Sequence, residues 1–273
     1  MKILIIGAGK MGEAVLRSWL SDSSKLKKVI SVVEVNSKKR NILKKNYPLA
    51  EFSEYVPDTW KGDLILFAIK PQTFSNIAKV INSKNISTKI ILSIMAGITL
   101  SSLENLIHGK AVFFRAMPNL ASSVGSGVTG VFARKPIISS YKKKIEQLLT
   151  TLGWVYWLKS EKLFDPLTAI SGSGPAYIFL FLKIMKNSSK NLGFSEKISN
   201  QLVLKTFKGV SEILKKNSNL EELISDVASP GGTTEAALEV LIKSKPNLKV
   251  ILNKAILAAN KRSIKLGKNA KKQ

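Results

Sequence analysis

The sequence predicts an α/β protein in two parts, a mostly parallel sheet covered by helices and then an all-helical domain. Three observations carry this. Short apolar, β-branched runs alternate with amphipathic stretches as far as Leu158. Strand signals stop after about Ser160, and helical periodicity runs on from there. Strands separated by helices also need crossover connections, which favour parallel pairing and a sheet buried on both faces. The two domains are set at residues 1–160 and 161–273.

Taken in order, Lys2–Ile6 reads as a buried strand and Lys10–Leu20 as an amphipathic helix. Val29–Val35 is a β-branched second strand, followed by a helix over Ser37–Asn46. Asp63–Ile69 is a buried strand ending at Lys70-Pro71, and Pro71 suits the first turn of a helix to about Ile81. Lys89–Met95 is a strand ending at Ala96-Gly97, and Leu100–Ile107 a short helix. Ala111–Arg115 and Gly127–Ala133 are strands, Ser139–Leu152 a helix and Trp154–Leu158 the last strand. Helices then follow over Phe164–Ile170, Ala176–Gly193, Glu196–Asn217, Leu220–Val227, Thr234–Ser244 and Asn247–Gly267. The stretch Pro175–Met185 is apolar nearly all round, with Ile178, Phe179, Leu180, Phe181, Leu182 and Ile184, so it must be buried. A second subunit is a suitable cover.

Composition narrows the chemistry. The chain has 273 residues, 45% of them hydrophobic, enough for a real core. No apolar run reaches the roughly 18 residues of a membrane span. The apolar start Met1–Gly7 is too short for a signal peptide, so a cytoplasmic location is expected. There is no cysteine, which excludes disulfides, thiolate metal ligands and a cysteine nucleophile. The single histidine, His108, lies in a polar turn before Gly109, so a His-rich metal site and a serine–histidine triad are out of reach and no metal is expected. The formal charge of +25 resembles a nucleic-acid binder's. Lysine far outnumbers arginine, however, and is spread over nearly every surface face; the basic tail Lys261–Lys272 reads as a solvated helix end. Specific readers use arginine and aromatic platforms. Neither nucleic acid nor membrane is therefore an expected partner; the field can instead collect anionic ligands.

Gly7-Ala8-Gly9-Lys10-Met11-Gly12 fits G-x-G-x-x-G between a strand and a helix. That context lets backbone N–H groups and the helix N-terminus meet a pyrophosphate, and it makes the first part a Rossmann dinucleotide-binding domain. Glu34 ends the second strand, where an acid bonds the ribose hydroxyls of NAD and repels the 2′-phosphate of NADP. Asn36, Ser37, Lys38, Lys39 and Arg40 follow and can grip that phosphate, so the two signals conflict. Ala68-Ile69-Lys70-Pro71 and Ala96-Gly97 lie at carboxyl ends of strands, where such sheets bind ligands. Lys70 can bond phosphate or ribose, and Ala96-Gly97 can leave room for a nicotinamide or be a plain turn. Asn119, at the end of Arg115-Ala116-Met117-Pro118-Asn119, orients the nicotinamide or caps a turn.

Two loops of the helical part are rich in glycine and hydroxyls. Ser171-Gly172-Ser173-Gly174-Pro175-Ala176-Tyr177 precedes the apolar helix and reads as a loop presenting N–H groups and hydroxyls, Ser173 among them, to an anion. Ser229-Pro230-Gly231-Gly232-Thr233-Thr234-Glu235 stands at another helix start and can receive a small carboxylate and a ring nitrogen. A capped helix is the alternative for each.

Across these motifs, and above all Asp226–Thr234, the sequence resembles pyrroline-5-carboxylate reductase over essentially its whole length. The resemblance implies NADPH- or NADH-dependent reduction of the C=N of 1-pyrroline-5-carboxylate to L-proline, the last step of proline biosynthesis. It implies an interleaved homodimer through an all-helical dimerisation domain, commonly assembled into a decamer. The substrate pocket would lie between the nicotinamide and the partner's helical domain. By the same resemblance Thr234 bonds the substrate nitrogen, while Ser229, Gly231, Gly232 and Thr233 hold the carboxylate. Glu161 matches a substrate-contacting acid with a possible part in proton relay, and Lys70, Pro71 and Gly97 match cofactor contacts. The sequence departs from the family around Glu34, where a serine or asparagine with an arginine is common. It departs again near Val56, where an asparagine is often seen. Two rivals stand beside this reading. A β-hydroxyacid dehydrogenase-type reductase would use Lys183 or Lys186, but gives the Ser229–Thr234 loop no role. A basic nucleic-acid-binding protein would leave both glycine-rich loops unexplained.

Overall fold

The computed structural model describes residues 1–22, 28–134 and 136–270. Its strands are β1 (Lys2–Ile6), β2 (Val29–Val33), β3 (Glu51–Ser53), β4 (Thr59–Phe67), β5 (Asn85–Ser93), β6 (Val112–Met117), β7 (Gly127–Phe132) and β8 (Gly153–Trp157). They form one sheet in the order β3-β2-β1-β4-β5-β6-β7-β8, parallel throughout except for β6 against β7. The helices between them are α1 (Lys10–Ser21), α2 (Ser37–Asn46), α3 (Phe74–Asn82), α4 (Leu100–Leu106) and α5 (Ser139–Thr150). Strand order reverses at β1, which pairs with β2 on one side and β4 on the other. Open parallel sheets bind ligands at such a reversal, beyond the carboxyl ends of the strands.

The two-residue period of the strands divides the core between the sheet's faces. Ile3 and Ile5 of β1 join Leu64 and Leu66 of β4 and Val15, Leu16 and Trp19 of α1 on one face. Leu4 and Ile6 join Ile65 and Phe67 of β4 and Phe74 and Ala78 of α3 on the other. Each fully buried side chain of this kind contributes about 1.5–3 kcal/mol relative to exposure.

Several boundaries differ from those the sequence predicts. β4 begins at Thr59 and β5 at Asn85, four residues earlier in each case than the apolar runs suggest. The added residues pair with each other, as in Thr59 with Asn85, but Trp60 and Ile86 stand singly among polar neighbours, so no continuous apolar run marks them. β3 is a three-residue edge strand with two exposed polar ends, too short to be read from periodicity. Pro71 opens a short 3-10 turn, Pro71–Thr73, before α3 begins.

The helical part comprises α6 (Phe164–Leu167), α7 (Gly174–Asn191), α8 (Glu196–Leu214), α9 (Leu220–Val227), α10 (Thr233–Lys243) and α11 (Leu248–Ala270). The Ser171–Gly174 segment is not a loop. A π-helical turn, Thr168–Gly172, joins α6 to α7, and the Ser173 amide donates to Thr168 O at 2.8 Å. That amide is spent on the helix, because a wide turn accommodates the residues within a continuous helical path. The expected burial of α7 is also absent in a single chain: Phe179 is 57% exposed and Leu180 59%. The helical segment Glu161–Asn191 is long and apolar enough, by length and composition, to cross a membrane, although polar and charged residues interrupt it. A helix covered by another chain has the same composition.

The chain forms two compact units, Met1–Ser173 together with the stretch from Ala259, and Gly174–Ala258.

Candidate active site

The glycine loop at the end of β1 has the geometry of a phosphate cradle. Gly7 holds φ +91°, and a side chain there would strike Ile69 and the Ala68 carbonyl of the neighbouring strand end. A side chain on Gly12 would strike the Gly7 carbonyl, so α1 packs tightly against the loop. Gly9, the N-cap of α1, has open space where its side chain would be, and no side chain caps the helix. A tight turn, an open approach and close helix packing are what a pyrophosphate at a helix N-terminus needs. The residues therefore fit a dinucleotide.

Around this cradle the strand ends converge. The Ala68 amide donates to Ile6 O at 2.9 Å, which sets Ala68-Ile69 beside Gly7. The carbonyl of exposed Lys70 accepts from the Thr73 amide and hydroxyl, while Pro71 begins the following turn. The half-buried Glu34 turns its carboxylate onto the loop, Oε2 accepting from the Ala8 amide at 3.2 Å and Oε1 from the Asn36 amide at 3.0 Å. Asn36 caps α2 by accepting from the Lys39 amide. Val56 is buried in the core.

Asn119 is buried, and its amide group bridges two elements: Nδ2 donates to Ser171 O at 3.0 Å and Oδ1 accepts from the Val128 amide at 3.1 Å. Those two bonds fix the turn after β6. Gly97 abuts the last helix, where an added side chain would lie 3.2 Å from Gly267. A cleft of about 270 Å³ opens here, lined by Gly97, Thr99, Arg115, Glu161, Asp165 and Gly267 among others.

Sequence reasoning missed the role of Arg115. It is buried in β6, 4.2 Å above the Phe164 ring, and its Nη1 donates to Glu161 Oε1 at 2.9 Å. Burial pushes its pKa below the ordinary arginine value, and the Glu161 carboxylate opposes that shift. The same Oε1 accepts from the Leu100 amide at 2.8 Å, at the start of α4. One carboxylate thus ties Arg115 of β6 to the start of α4, the helix that follows Ala96-Gly97. An arginine inside an otherwise apolar strand was the available signal, since buried charge demands a partner.

The Ser229–Thr234 segment lies in the other unit. α9 ends at Val227, Gly231 takes φ +70°, and the Gly232 amide donates to Ser229 O at 3.0 Å. Glu235 in the first turn of α10 accepts from the Gly231 amide at 2.7 Å. Gly232 supplies no capping side chain, Thr233 is exposed and Thr234 half-buried. The result is a turn at a helix N-terminus that carries the hydroxyls of Ser229, Thr233 and Thr234, with the Glu235 carboxylate already on the Gly231 amide. Ser173 belongs to the first unit.

Residues 161–266 match the family model described as pyrroline-5-carboxylate reductase dimerisation, and residues 2–97 match that described as NADP oxidoreductase coenzyme F420-dependent. The chain is 32% identical to a pyrroline-5-carboxylate reductase of Haemophilus influenzae, over 87% of this chain and 88% of the relative. It is 33% identical to that of Aquifex aeolicus, over 88% and 89%. Among solved structures it is similar to a pyrroline-5-carboxylate reductase from Coxiella burnetii, with TM-score 0.84, 28% identity and 97% of each chain covered. It is likewise similar to Plasmodium falciparum pyrroline carboxylate reductase with NADP bound, with TM-score 0.81, 27% identity and 98% of each chain covered.

Proposed function

The chain belongs to the pyrroline-5-carboxylate reductase family, and on that premise we propose that it reduces the ring C=N of 1-pyrroline-5-carboxylate to give L-proline, using NADPH or NADH. The observation that carries the cofactor half is the open cradle at Gly9, at the reversal of strand order and before an uncapped helix. Gly7 to Gly12, with Glu34, Asn36, Ala68 to Pro71, Ala96, Gly97 and Asn119 around them, would hold the dinucleotide. When bound, the reduced nicotinamide supplies a hydride to the imine carbon.

The substrate half rests on the Ser229–Thr234 turn. Hydride adds readily only to an electrophilic carbon, so the ring must react as its iminium, with the proton already on nitrogen. The Thr234 hydroxyl oxygen accepts from that N–H⁺, while the hydroxyls of Ser229 and Thr233 take the carboxylate on the turn that Gly231 and Gly232 shape. The C=N electron pair moves to nitrogen as the new C–H bond forms, leaving a neutral secondary amine, which water can protonate. Ser173 belongs to the proposed substrate set through its hydroxyl. Glu161 is assigned first to holding the Ala96-Gly97 loop through Leu100 and Arg115, and a proton relay would fall to its other oxygen.

The working form is proposed to be a homodimer, which the exposed apolar faces of α7 and α8 support. Assembly of dimers into a decamer rests on the family resemblance alone. A division of labour at residues 160 and 161 and a cytoplasmic location complete the reading.

The deciding experiment follows oxidation of NADPH and of NADH with pyrroline-5-carboxylate as sole acceptor. Turnover with either is expected. Absence of turnover despite bound dinucleotide would overturn the reaction and favour a reductase of another substrate.

A further inference from the structure

NAD and NADP differ only at the ribose 2′ oxygen, a hydroxyl in one and a phosphate in the other. A carboxylate accepts a hydrogen bond from the hydroxyl and repels the phosphate. A phosphate is held best by an unoccupied guanidinium or by several ammonium groups. At the end of β2 both kinds of group occur within seven residues, Glu34 to Arg40, so their actual engagements decide the outcome.

Glu34 is fixed rather than swinging in solvent. Its two oxygens accept from the amides of Ala8 and Asn36, at 3.2 and 3.0 Å, so the negative charge stands at the glycine loop. Arg40 is spent elsewhere. Its Nη1 donates to Glu34 O at 2.7 Å and Val35 O at 3.3 Å, and its Nη2 to the Glu54 carboxylate at 2.8 Å. Its side chain is only 13% exposed. Lys39 Nζ lies 3.7 Å from the Glu13 carboxylate, and the Asn36 side chain caps α2. What remains of the cationic run is Lys38, one exposed ammonium on a flexible stem.

We propose that Glu34 is the residue that sets cofactor choice, and that the protein binds and uses NADH in preference to NADPH while accepting both. Held by Ala8 and Asn36, the carboxylate meets the ribose hydroxyls of NADH and stands against the 2′-phosphate of NADPH. Arg40, held by Glu54, does not offset that repulsion. The overall positive charge attracts NADPH more strongly at long range, but physiological salt confines such attraction to about 8 Å. The inference rests on the reductase reading only in taking the Gly7–Gly12 loop as the dinucleotide site.

The test is calorimetric titration of the whole protein with NADH and with NADPH, without substrate, at about 0.15 M salt, beside kcat/KM for each. Wild type is expected to favour NADH by about tenfold or more, the scale on which misplaced like charges discriminate. Glu34→Gln is expected to bring the two affinities within about threefold of each other, by removing that like charge. Glu54→Gln, which releases Arg40, is expected to strengthen NADPH binding without weakening NADH. Equal or tighter NADPH binding by wild type, or an unchanged ratio in Glu34→Gln, overturns the proposal. Lack of turnover would sink the reductase reading, while the binding ratio would still decide this one.

Discussion

Helices α1 and α7 both carry a substantial apolar surface, yet one chain treats them oppositely. In α1, Val15 and Leu16 are fully buried and Trp19 is 1% exposed, because β1 and β4 lie beneath them. In α7 no residue is buried, and Phe179, Leu180 and Phe181 stand about half in solvent. The same holds across the whole Gly174–Ala258 unit, where among the described residues only Ser199 and Val203 are buried. An apolar helix announces that it needs a cover; only the fold says whether its own chain supplies one. The first unit completes its core alone. The second exposes apolar surface on a scale that marks an interface.

The largest effect expected from this contrast concerns concentration. Leu66→Ala in β4 should cost about 2–5 kcal/mol whatever the protein concentration, because its cavity lies within one chain. Phe181→Ala should cost a similar amount, about 3–5 kcal/mol, when a second copy covers α7, and far less once dilution separates the copies. Thermal melts over a wide concentration range, with mass measured by light scattering, would read this. A Phe181→Ala penalty that ignores concentration would break the contrast and place the cover of α7 elsewhere.

Next in size is Thr234→Ala, which asks whether the helical unit also brings chemistry. A hydrogen bond to a charged group is worth about 1.5–3 kcal/mol, so kcat should fall roughly 10- to 150-fold. Dinucleotide affinity, a property of the first unit, should stay unchanged. An unaltered kcat would remove Thr234 from the reacting centre and leave the helical unit an interface only.

The two units also differ in how legible they were. The sheet was readable because each buried strand writes its apolar run into the sequence, and the glycine fingerprint fixes the loop after β1. The starts of β4 and β5 were hidden because each sets a single apolar residue, Trp60 or Ile86, among polar ones, too little to write an apolar run. The Ser171–Gly174 segment misled for a related reason: glycine and serine signal a loop, but the π-turn absorbs them into helix. Arg115 and Glu161 stand 46 positions apart, and their pairing depends on tertiary folding that no local pattern records. Glu34 was recognised at once, yet whether Arg40 offsets it turned on Glu54, an acid 14 positions away.

The smallest expected effect sharpens the contrast between buried and exposed ion pairs. In the first unit, Arg115 and Glu161 meet largely out of water, with 8% and 21% of their side chains exposed. In the second, Glu196 at the start of α8 accepts from Lys186 and Lys190 of α7, at 3.0 and 2.9 Å, with 65% of its side chain in solvent. Hydrogen bonds from Lys190 and Lys186 hold its carboxyl at about 2, against an ordinary 4.5. A depressed folded-state pKa stabilises the fold above the unfolded value and ceases to do so as pH falls through the folded one. Its contribution should therefore be whole above 4.5 and vanish toward 2. Exposure and salt keep it slight. Melts of wild type and Glu196→Gln should differ a little at neutral pH and low salt, and converge as the solution is acidified or salted. A gap that persists in acid would mean that Glu196 acts through packing of the α7–α8 pair rather than through its charge.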